Sequence, residues 1–505
     1  MSGASSTEDR VMGIHRRDFL KAAGLVALGP AWPAIAPDAS GTLVNDIHSQ
    51  LNSTRVARIV PIDSVKALQD AVRRAAADRS GICLAGGRHA MGGQQFAAGG
   101  TLLDMRPCSR VLRLDAATGI VDVESGIMWP ALIDELVRRQ AGSTQQWGIA
   151  QKQTGADRLT IGGALAANVH GRGLKMTPII GDVESFVLID ATGRARTCGR
   201  RENADLFKLA IGGYGLFGPI ATVRLRLIPR QKIRRVVEVR NIDDLPAAFD
   251  QRIADGFLFG DFQFSIDEAS DDFLRRGVFS CYKPVDPATP MPAAQKELAD
   301  SDWQRLLLAA HADKAEAFKQ YSQYYLSTNG QLYWSDTHQL GAYTDDYHKG
   351  IDTRLGSKDP ATEVITEIYV PRQRLPDFMN EVARTFRSNG VPIIYGTIRL
   401  IEKDDESVLA WAKEPYACII FNLHVVHTPQ RVDEAAAAFR SLIEMAIARG
   451  GRYYLTYHRY ATRAQVEACY PQLPEFLRLK KKHDPDERFQ SDWYRFYRTM
   501  FADTL

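Results

Sequence analysis

Three glycine-rich segments limit what this chain can fold into more than any other feature. The first, Leu84-Ala85-Gly86-Gly87-Arg88-His89-Ala90-Met91-Gly92-Gly93, follows an apolar run from Gly81 to Ala85 that reads as a strand. The second, Thr160-Ile161-Gly162-Gly163-Ala164-Leu165-Ala166-Ala167-Asn168-Val169-His170-Gly171-Arg172-Gly173, is built almost wholly of small residues. The third joins Asn203-Ala204-Asp205-Leu206-Phe207 to Gly212-Gly213-Tyr214-Gly215-Leu216-Phe217-Gly218-Pro219-Ile220-Ala221-Thr222. Without side chains in the way, successive backbone amides can converge into a nest for a pyrophosphate, and the chain can approach a flat ring closely.

Periodicity places these segments on a frame. Ala57 to Pro61 is a short extended run, and Ser64 to Asp78 is helical, with Val65, Leu68, Val72 and Ala75 on one face. Strands are expected at Gly100 to Asp104, Val111 to Asp115 and Gly119 to Ser125, with a helix over Trp129 to Arg139. Further strands follow at Gly181 to Asp190, Gly193 to Cys198 and Pro219 to Ile228, with a short helix near Asn203 to Ala210. Gly213, Gly215 and Gly218 satisfy G-x-G-x-x-G, but a dinucleotide fingerprint needs a strand before the glycines and a helix after them. The order here is reversed, so the nicotinamide-dinucleotide reading fails its context. From 231 the rhythm changes. Strand candidates are Arg235 to Val239, Asp261 to Ser265, Gln331 to Tyr333, Glu363 to Val370, Ile393 to Ile401, Tyr416 to Val426 and Tyr453 to Tyr457, with helices over Leu375 to Asn389, Val432 to Arg449 and Ala288 to Tyr325. Strand–helix–strand units used twice point to an antiparallel sheet backed by helices.

In this order and spacing the three glycine-rich segments resemble the FAD-binding domain of the vanillyl-alcohol oxidase/p-cresol methylhydroxylase (PCMH-type) flavoproteins. The resemblance implies an α+β chain with a split, two-part FAD domain over 54–230, a substrate (cap) domain over 231–460, and a segment 461–505 returning to the FAD domain. It implies FAD contacts at Ala85, Gly86, Gly87, Arg88, His89 and Ala90, at Thr160, Gly162, Gly163 and Ala164, at Asn168, His170 and Gly171, and at Ile220. His89 occupies the position at which many members bond the flavin covalently through its 8α-methyl; an uncoupled histidine lining the loop is the alternative. The cysteine that gives some relatives a second link is absent from Gln151-Lys152-Gln153-Thr154-Gly155.

The remainder is similar to the cap of the D-arabinono-1,4-lactone oxidase and alditol oxidase branch, on Glu367-Ile368-Tyr369-Val370-Pro371, Ile398-Arg399-Leu400, Asn422-Leu423-His424, Tyr457-His458-Arg459 and Asp484-Pro485-Asp486…Phe489. That branch carries Glu-x-Arg where this chain has Thr397-Ile398-Arg399, and its later lysine has no counterpart beside Tyr457-His458-Arg459-Tyr460. Oxidation of a CH–OH group by hydride transfer to flavin N5 needs a base for the hydroxyl proton, for which His424 and His458 are candidates. It also needs a fixed cation or substrate clamp, for which Arg399 is the candidate. Glu367 completes the catalytic candidates. Three of them have a structural alternative: an outward charge for Arg399, and core positions for His424 and Glu367. Reduction of a C=C bond, oxidation of an amine, and a non-catalytic flavin-fold binding protein are the rival functions.

The N-terminus reads His15-Arg16-Arg17-Asp18-Phe19-Leu20-Lys21 and then an apolar stretch from Ala22 to Ala31. It resembles a twin-arginine export signal (residues 1–40) and implies a periplasmic or exported protein that folds around its cofactor before export. The stretch is too short to span a bilayer, which needs about 20 apolar residues; any membrane contact is expected only through an uncleaved signal. The charge balance, 63 basic against 60 acidic residues for a net +3, gives no footprint for nucleic acid. The six cysteines lack metal-site or disulfide spacing. The expected partners are a small alcohol-type substrate and an electron acceptor, whether oxygen, a quinone or a cytochrome.

Overall fold

The computed structural model describes residues 41–341 and 347–505. The segment holding Arg16 and Arg17 lies outside them. The first glycine-rich loop leaves the end of a three-stranded parallel sheet ordered Arg58–Pro61, Thr101–Asp104, Ile82–Ala85. Helix Val65–Ala77 packs Leu68, Ala71, Val72 and Ala75 beside it. The helix starts at Ser64, whose hydroxyl accepts from the Ala67 amide at 3.1 Å.

The other two segments serve a five-stranded antiparallel sheet ordered Ala195–Gly199, Val183–Ile189, Ile220–Arg226, Ile120–Glu124, Val111–Asp115. Its hairpin turns at Gly119, where φ is +68° and an added Cβ would lie 2.6 Å from the Trp147 ring. The third segment runs from helix Ala204–Ala210 into strand Ile220–Arg226, the reverse of a Rossmann turn, as its context predicts. The small-residue segment, with no element assigned from sequence, forms the short helix Ile161–Ala167.

An eight-stranded antiparallel sheet makes up the rest, ordered Leu332–Trp334, Lys232–Asn241, Arg276–Pro284, Phe259–Phe264, Ile393–Ile401, Tyr416–Val426, Ala361–Pro371, Arg452–Tyr453. It is two strand–helix–strand–strand units that meet where Phe262 pairs with Ile398. The helices are Leu245–Ala254 in one unit and Leu375–Asn389 in the other, with Pro429–Ile447 added behind. The α+β expectation therefore holds. Three local expectations do not. Strand Arg276–Pro284 has no alternation, because Gly277 to Tyr282 are all buried in the sheet interior, and the periodicity reading passed over it. The strand expected over Tyr453 to Tyr457 stops at Tyr453, freeing Tyr454, Thr456 and Tyr457 to turn toward the cavity described below. The helix expected from Ala288 begins only at Asp300 and runs as two, Asp300–Ala312 and Lys314–Ser327.

The C-terminal segment closes on the parallel sheet. The Ile82 amide donates to Arg488 O and the Gln490 amide to Ile82 O, both at 2.7 Å. Asp484 shapes this return by accepting from the amides of Arg488 (2.9 Å) and Phe489 (2.8 Å) while paired with buried Lys480. That is the physical content of Asp484-Pro485-Asp486…Phe489. All six cysteines are buried free thiols. Among the described residues no helix is long and apolar enough to cross a membrane.

Candidate active site

A cavity of about 690 Å³ runs between the two glycine-bearing sheets and on to the face of the eight-stranded sheet. That is the size and position of a site for a cofactor together with a small molecule. Its two ends are built differently.

At one end the wall is backbone. Ala85, Gly86, Gly87, Arg88, His89 and Ala90 all line it, and Arg88 holds a left-handed φ of 59°. The Gly86, Gly87 and Arg88 amides donate to no acceptor among the described residues. A Cβ on Gly86 would lie 2.1 Å from Thr160 Oγ1, and one on Gly87 2.2 Å from Arg158 O. Gly86 and Gly87 are thus pressed onto the chain at Arg158 and Thr160 and admit no side chain. Thr160 caps helix Ile161–Ala167 through Gly163 N at 3.2 Å, and Thr160, Gly162 and Gly163 face the cavity. Gly218, at φ +134°, turns the third segment so that Ile220 joins the wall. Unpaired amides at two glycines with no room for a side chain, beside a long cavity, fit FAD: the loop Gly86 to Ala90 would hold its pyrophosphate.

Four of the residues expected at FAD stand behind this wall. Ala164 is fully buried in the core. Asn168 gives its amide to Asp404 (2.8 Å) and accepts from Ile180 N (3.2 Å). Gly171 donates to Gln151 Oε1 (3.2 Å). His170 bonds its own neighbour's carbonyl, Gly171 O, at 3.1 Å through Nδ1, and Glu367 through Nε2. They hold the second segment in place. His89, by contrast, is on the wall, with Nδ1 2.8 Å from Nε2 of His48. Burial, then the neighbouring His48, pushes its pKa well below the usual histidine value, so the imidazole is neutral.

At the other end the wall is side chains. Tyr395 and Arg399 alternate along strand Ile393–Ile401; Ile420 and Asn422 come from the next strand and Ile365 from the one beyond. Arg399 is 4% exposed, and its Nε and Nη1 meet no hydrogen-bond partner among the described residues; neither does Asn422 Oδ1. Arg399 leaves the strand on the face opposite Ile398 and Leu400, neither of which lines the cavity.

Sequence reasoning missed the rest of this end. Arg172 lies 4.0 Å from Asp261 and donates to His338 O at 3.0 Å. Arg235 sits among the rings of Tyr333, Tyr325 and Tyr282, 4.7, 5.1 and 5.2 Å from their centroids. His338 lies between Phe259 and Tyr282, and burial, then Arg172 and Arg235, keep it neutral, well below the usual histidine range. Trp303, Tyr321 and Tyr324 cover the cavity from the helices inserted between the two sheet units. The tyrosines packed into 321–325 and at 333 were the one signal available.

Three catalytic candidates lie off the cavity wall. Glu367 is fully buried against His170 and accepts from Tyr457 OH at 3.2 Å, so it backs a wall residue without reaching the cavity. His424 shares a sheet face with Asn422 but lies farther along it, edge-on to His311. His458 is stacked on Tyr460 with centroids 4.9 Å apart, and burial pushes its pKa down to about 4. Strand alternation could predict a face but not how far along that face the cavity extends.

The model of the FAD binding domain matches residues 56–199, which include the first two glycine-rich segments. L-gulono-1,4-lactone dehydrogenase of Mycobacterium tuberculosis is 24% identical over 398 residues, 78% of this chain and 85% of that protein. Cytokinin dehydrogenase 9 of Oryza sativa is 31% identical over 176 residues, 34% of this chain and 32% of that one. Mouse L-gulonolactone oxidase is 30% identical over 132 residues, 26% of this chain and 28% of that one. The cytokinin dehydrogenase likeness stops at about a third of either chain, whereas the lactone dehydrogenase likeness takes in most of both. Residues 56–199 are a FAD binding domain, and the protein is a FAD-linked oxidoreductase similar over most of its length to a lactone dehydrogenase.

Proposed function

We propose that this enzyme oxidises a CH–OH group of a small polyhydroxylated molecule, a sugar lactone or an alditol. Bound FAD supplies the hydride acceptor. The observation that carries the reading is Arg399, a buried guanidinium on the cavity wall with two unpaired nitrogens. Leaving such a group unsatisfied costs several kcal/mol, so a ligand oxygen is its natural partner. Asn422 and Tyr395 beside it, with Arg172 and Asp261, give further polar contacts suited to several hydroxyls. His338, on the cavity wall at the Arg399 end with both ring nitrogens lacking a hydrogen-bond partner among the described residues, takes the place of His424 and His458 as the candidate acceptor of the hydroxyl proton. A C=C or amine substrate would not need so many hydrogen-bonding side chains.

Mixing the yellow protein anaerobically with sugar lactones, alditols and simple alcohols tests this. Bleaching by polyhydroxylated members and recovery on adding air, a quinone or a cytochrome is the expected result, and the last step also identifies the acceptor. No bleaching by any of them overturns the reading.

We also infer that His89 carries the flavin covalently, since its neutral imidazole is on the cavity wall within the loop that would hold the pyrophosphate. Acid precipitation should leave the colour in the pellet for the wild type and in the supernatant for His89→Ala. Export through Arg16-Arg17 is likewise our proposal, supported by the R-R-x-F-L-K pattern over Arg16 to Lys21. Changing both arginines to lysine should retain the enzyme in the cytoplasm; unchanged export would reject the motif.

A further inference from the structure

The sheet face that walls the cavity carries a second group of reactive side chains farther along. Glu363 and His424 are register partners on adjacent strands, so their side chains leave the sheet together on one face. His311 descends on them from helix Asp300–Ala312, its Nε2 3.2 Å from Glu363 Oε1 and its ring edge-on to that of His424 at 4.9 Å. On the other side His348, from helix Tyr347–Leu355, places Nδ1 2.7 Å from Glu363 Oε2, and Tyr347 OH bonds the same oxygen. One ligand atom each from His311, Glu363 and His424 lies within 4.8 Å of the others. The side chains of His311 and Glu363 are 3% and 6% exposed, and none of the three lines the flavin cavity.

Two features call for a cation here. His311 Nδ1 is 2.7 Å from Leu307 O, a pure acceptor, so Nδ1 carries a proton and Nε2 is the atom turned toward the cluster. Nε2 faces Glu363 Oε1 at 3.2 Å, a buried contact that either a proton or a metal ion can bridge. In addition, His424 Nδ1 is buried and has no hydrogen-bond partner among the described residues. A backbone carbonyl fixing Nδ1–H while Nε2 faces a carboxylate and a second imidazole is how proteins orient a metal-binding histidine.

We propose that His311, Glu363 and His424 bind a divalent first-row transition-metal ion, with His348 and Tyr347 orienting the carboxylate. Two imidazoles and one carboxylate are a donor set that zinc accepts, at bonds of about 2.0–2.2 Å. At those lengths the ligand atoms stand about 3.3 Å apart, so the side chains draw together by roughly 1 Å around the ion. The site lies between elements. One ligand comes from helix Asp300–Ala312, which also supplies Trp303 to the cavity, and two come from the sheet. The ion therefore clamps the helices that cover the substrate end onto the sheet that forms its wall.

The test uses the full holoprotein, stripped with a chelator, equilibrated with zinc chloride and desalted. Zinc and FAD per chain are then measured, with melting temperature, for the wild type and for His311→Ala, His424→Ala and His424→Gln. His483→Ala, far from the cluster in helix Leu473–His483, is the control. The expected result is one zinc per wild-type and control chain, a melting temperature raised by zinc, and at least tenfold weaker zinc binding in the cluster variants at unchanged FAD content. If His424→Ala loses FAD through misfolding, the volume-conserving His424→Gln is read instead. Zinc uptake in the wild type no greater than in the cluster variants overturns the proposal and leaves a cluster held by a proton.

Discussion

The two ends of the cavity differ in what they are made of. At the FAD end the surface is backbone, pressed so close that Gly86 has no room for a methyl group. At the substrate end the surface is arginine, tyrosine, asparagine and histidine projected from separate strands and helices. A backbone-built surface serves a ligand that does not change and tolerates almost no substitution. A side-chain-built surface can be retuned one residue at a time without disturbing the fold. This contrast explains why the glycine-rich segments match a broad class of flavoproteins while the Glu-x-Arg expected on the substrate side is here Thr397-Ile398-Arg399.

If the contrast is right, the largest effect comes from the smallest change at the FAD end. Gly86→Val would drive its side chain into Thr160, and the protein should be recovered without flavin or not folded at all, read as the ratio of flavin to protein absorbance. A yellow, active Gly86→Val protein would break the comparison.

Next comes the buried support between the ends. Glu367→Ala leaves His170 and Tyr457 without their partner, and a buried polar group left unsatisfied costs about 1–3 kcal/mol. Denaturant unfolding should show that loss, since Glu367 acts through packing. A normal midpoint with abolished turnover would instead return Glu367 to the catalytic group.

The contrast also accounts for what could be read from sequence. Contiguous glycines announce a backbone surface, because the feature and its sequence are the same stretch of chain. The helix over Trp129–Arg139 was legible to the residue by its period, and the strands Ile393–Ile401 and Tyr416–Val426 by their long runs of β-branched and aromatic residues. The strand Arg276–Pro284 was not, since burial on both faces erases alternation. The substrate end was legible only at Arg399. Arg172, Asp261, Arg235 and His338 meet through the pairing of strands far apart in the chain, and no local pattern reports such a meeting. His424 and His458 have the right chemistry for a base, but the fold places neither on the cavity wall.

A moderate effect is expected from His338→Phe, which keeps a ring between Phe259 and Tyr282. Turnover should fall by about 10²–10⁴, the usual contribution of a proton acceptor, with flavin content unchanged. Because its folded pKa is depressed, turnover by the wild type should show no histidine limb near pH 6.5 on the acid side.

The smallest effect concerns pH and stability. His458 is neutral when folded down to about pH 4 but takes up a proton near pH 6.5 when unfolded. In that window the unfolded state binds more protons, so stability falls as pH drops from 6.5 toward 4, by at most about 1.4 kcal/mol per pH unit for this group. His458→Phe should flatten that slope and leave stability at pH 8 without any linkage change. An unaltered acid slope would show that other buried histidines dominate it.

The most direct measurement is the anaerobic rate of flavin reduction by the best polyhydroxylated substrate, compared between the wild type and Arg399→Ala at equal flavin content. The account predicts that the variant stays yellow and retains full flavin while reduction slows by about 10²–10³, the scale for removing one preorganised donor. Reduction of Arg399→Ala at the wild-type rate would contradict the assignment of this end of the cavity to the substrate.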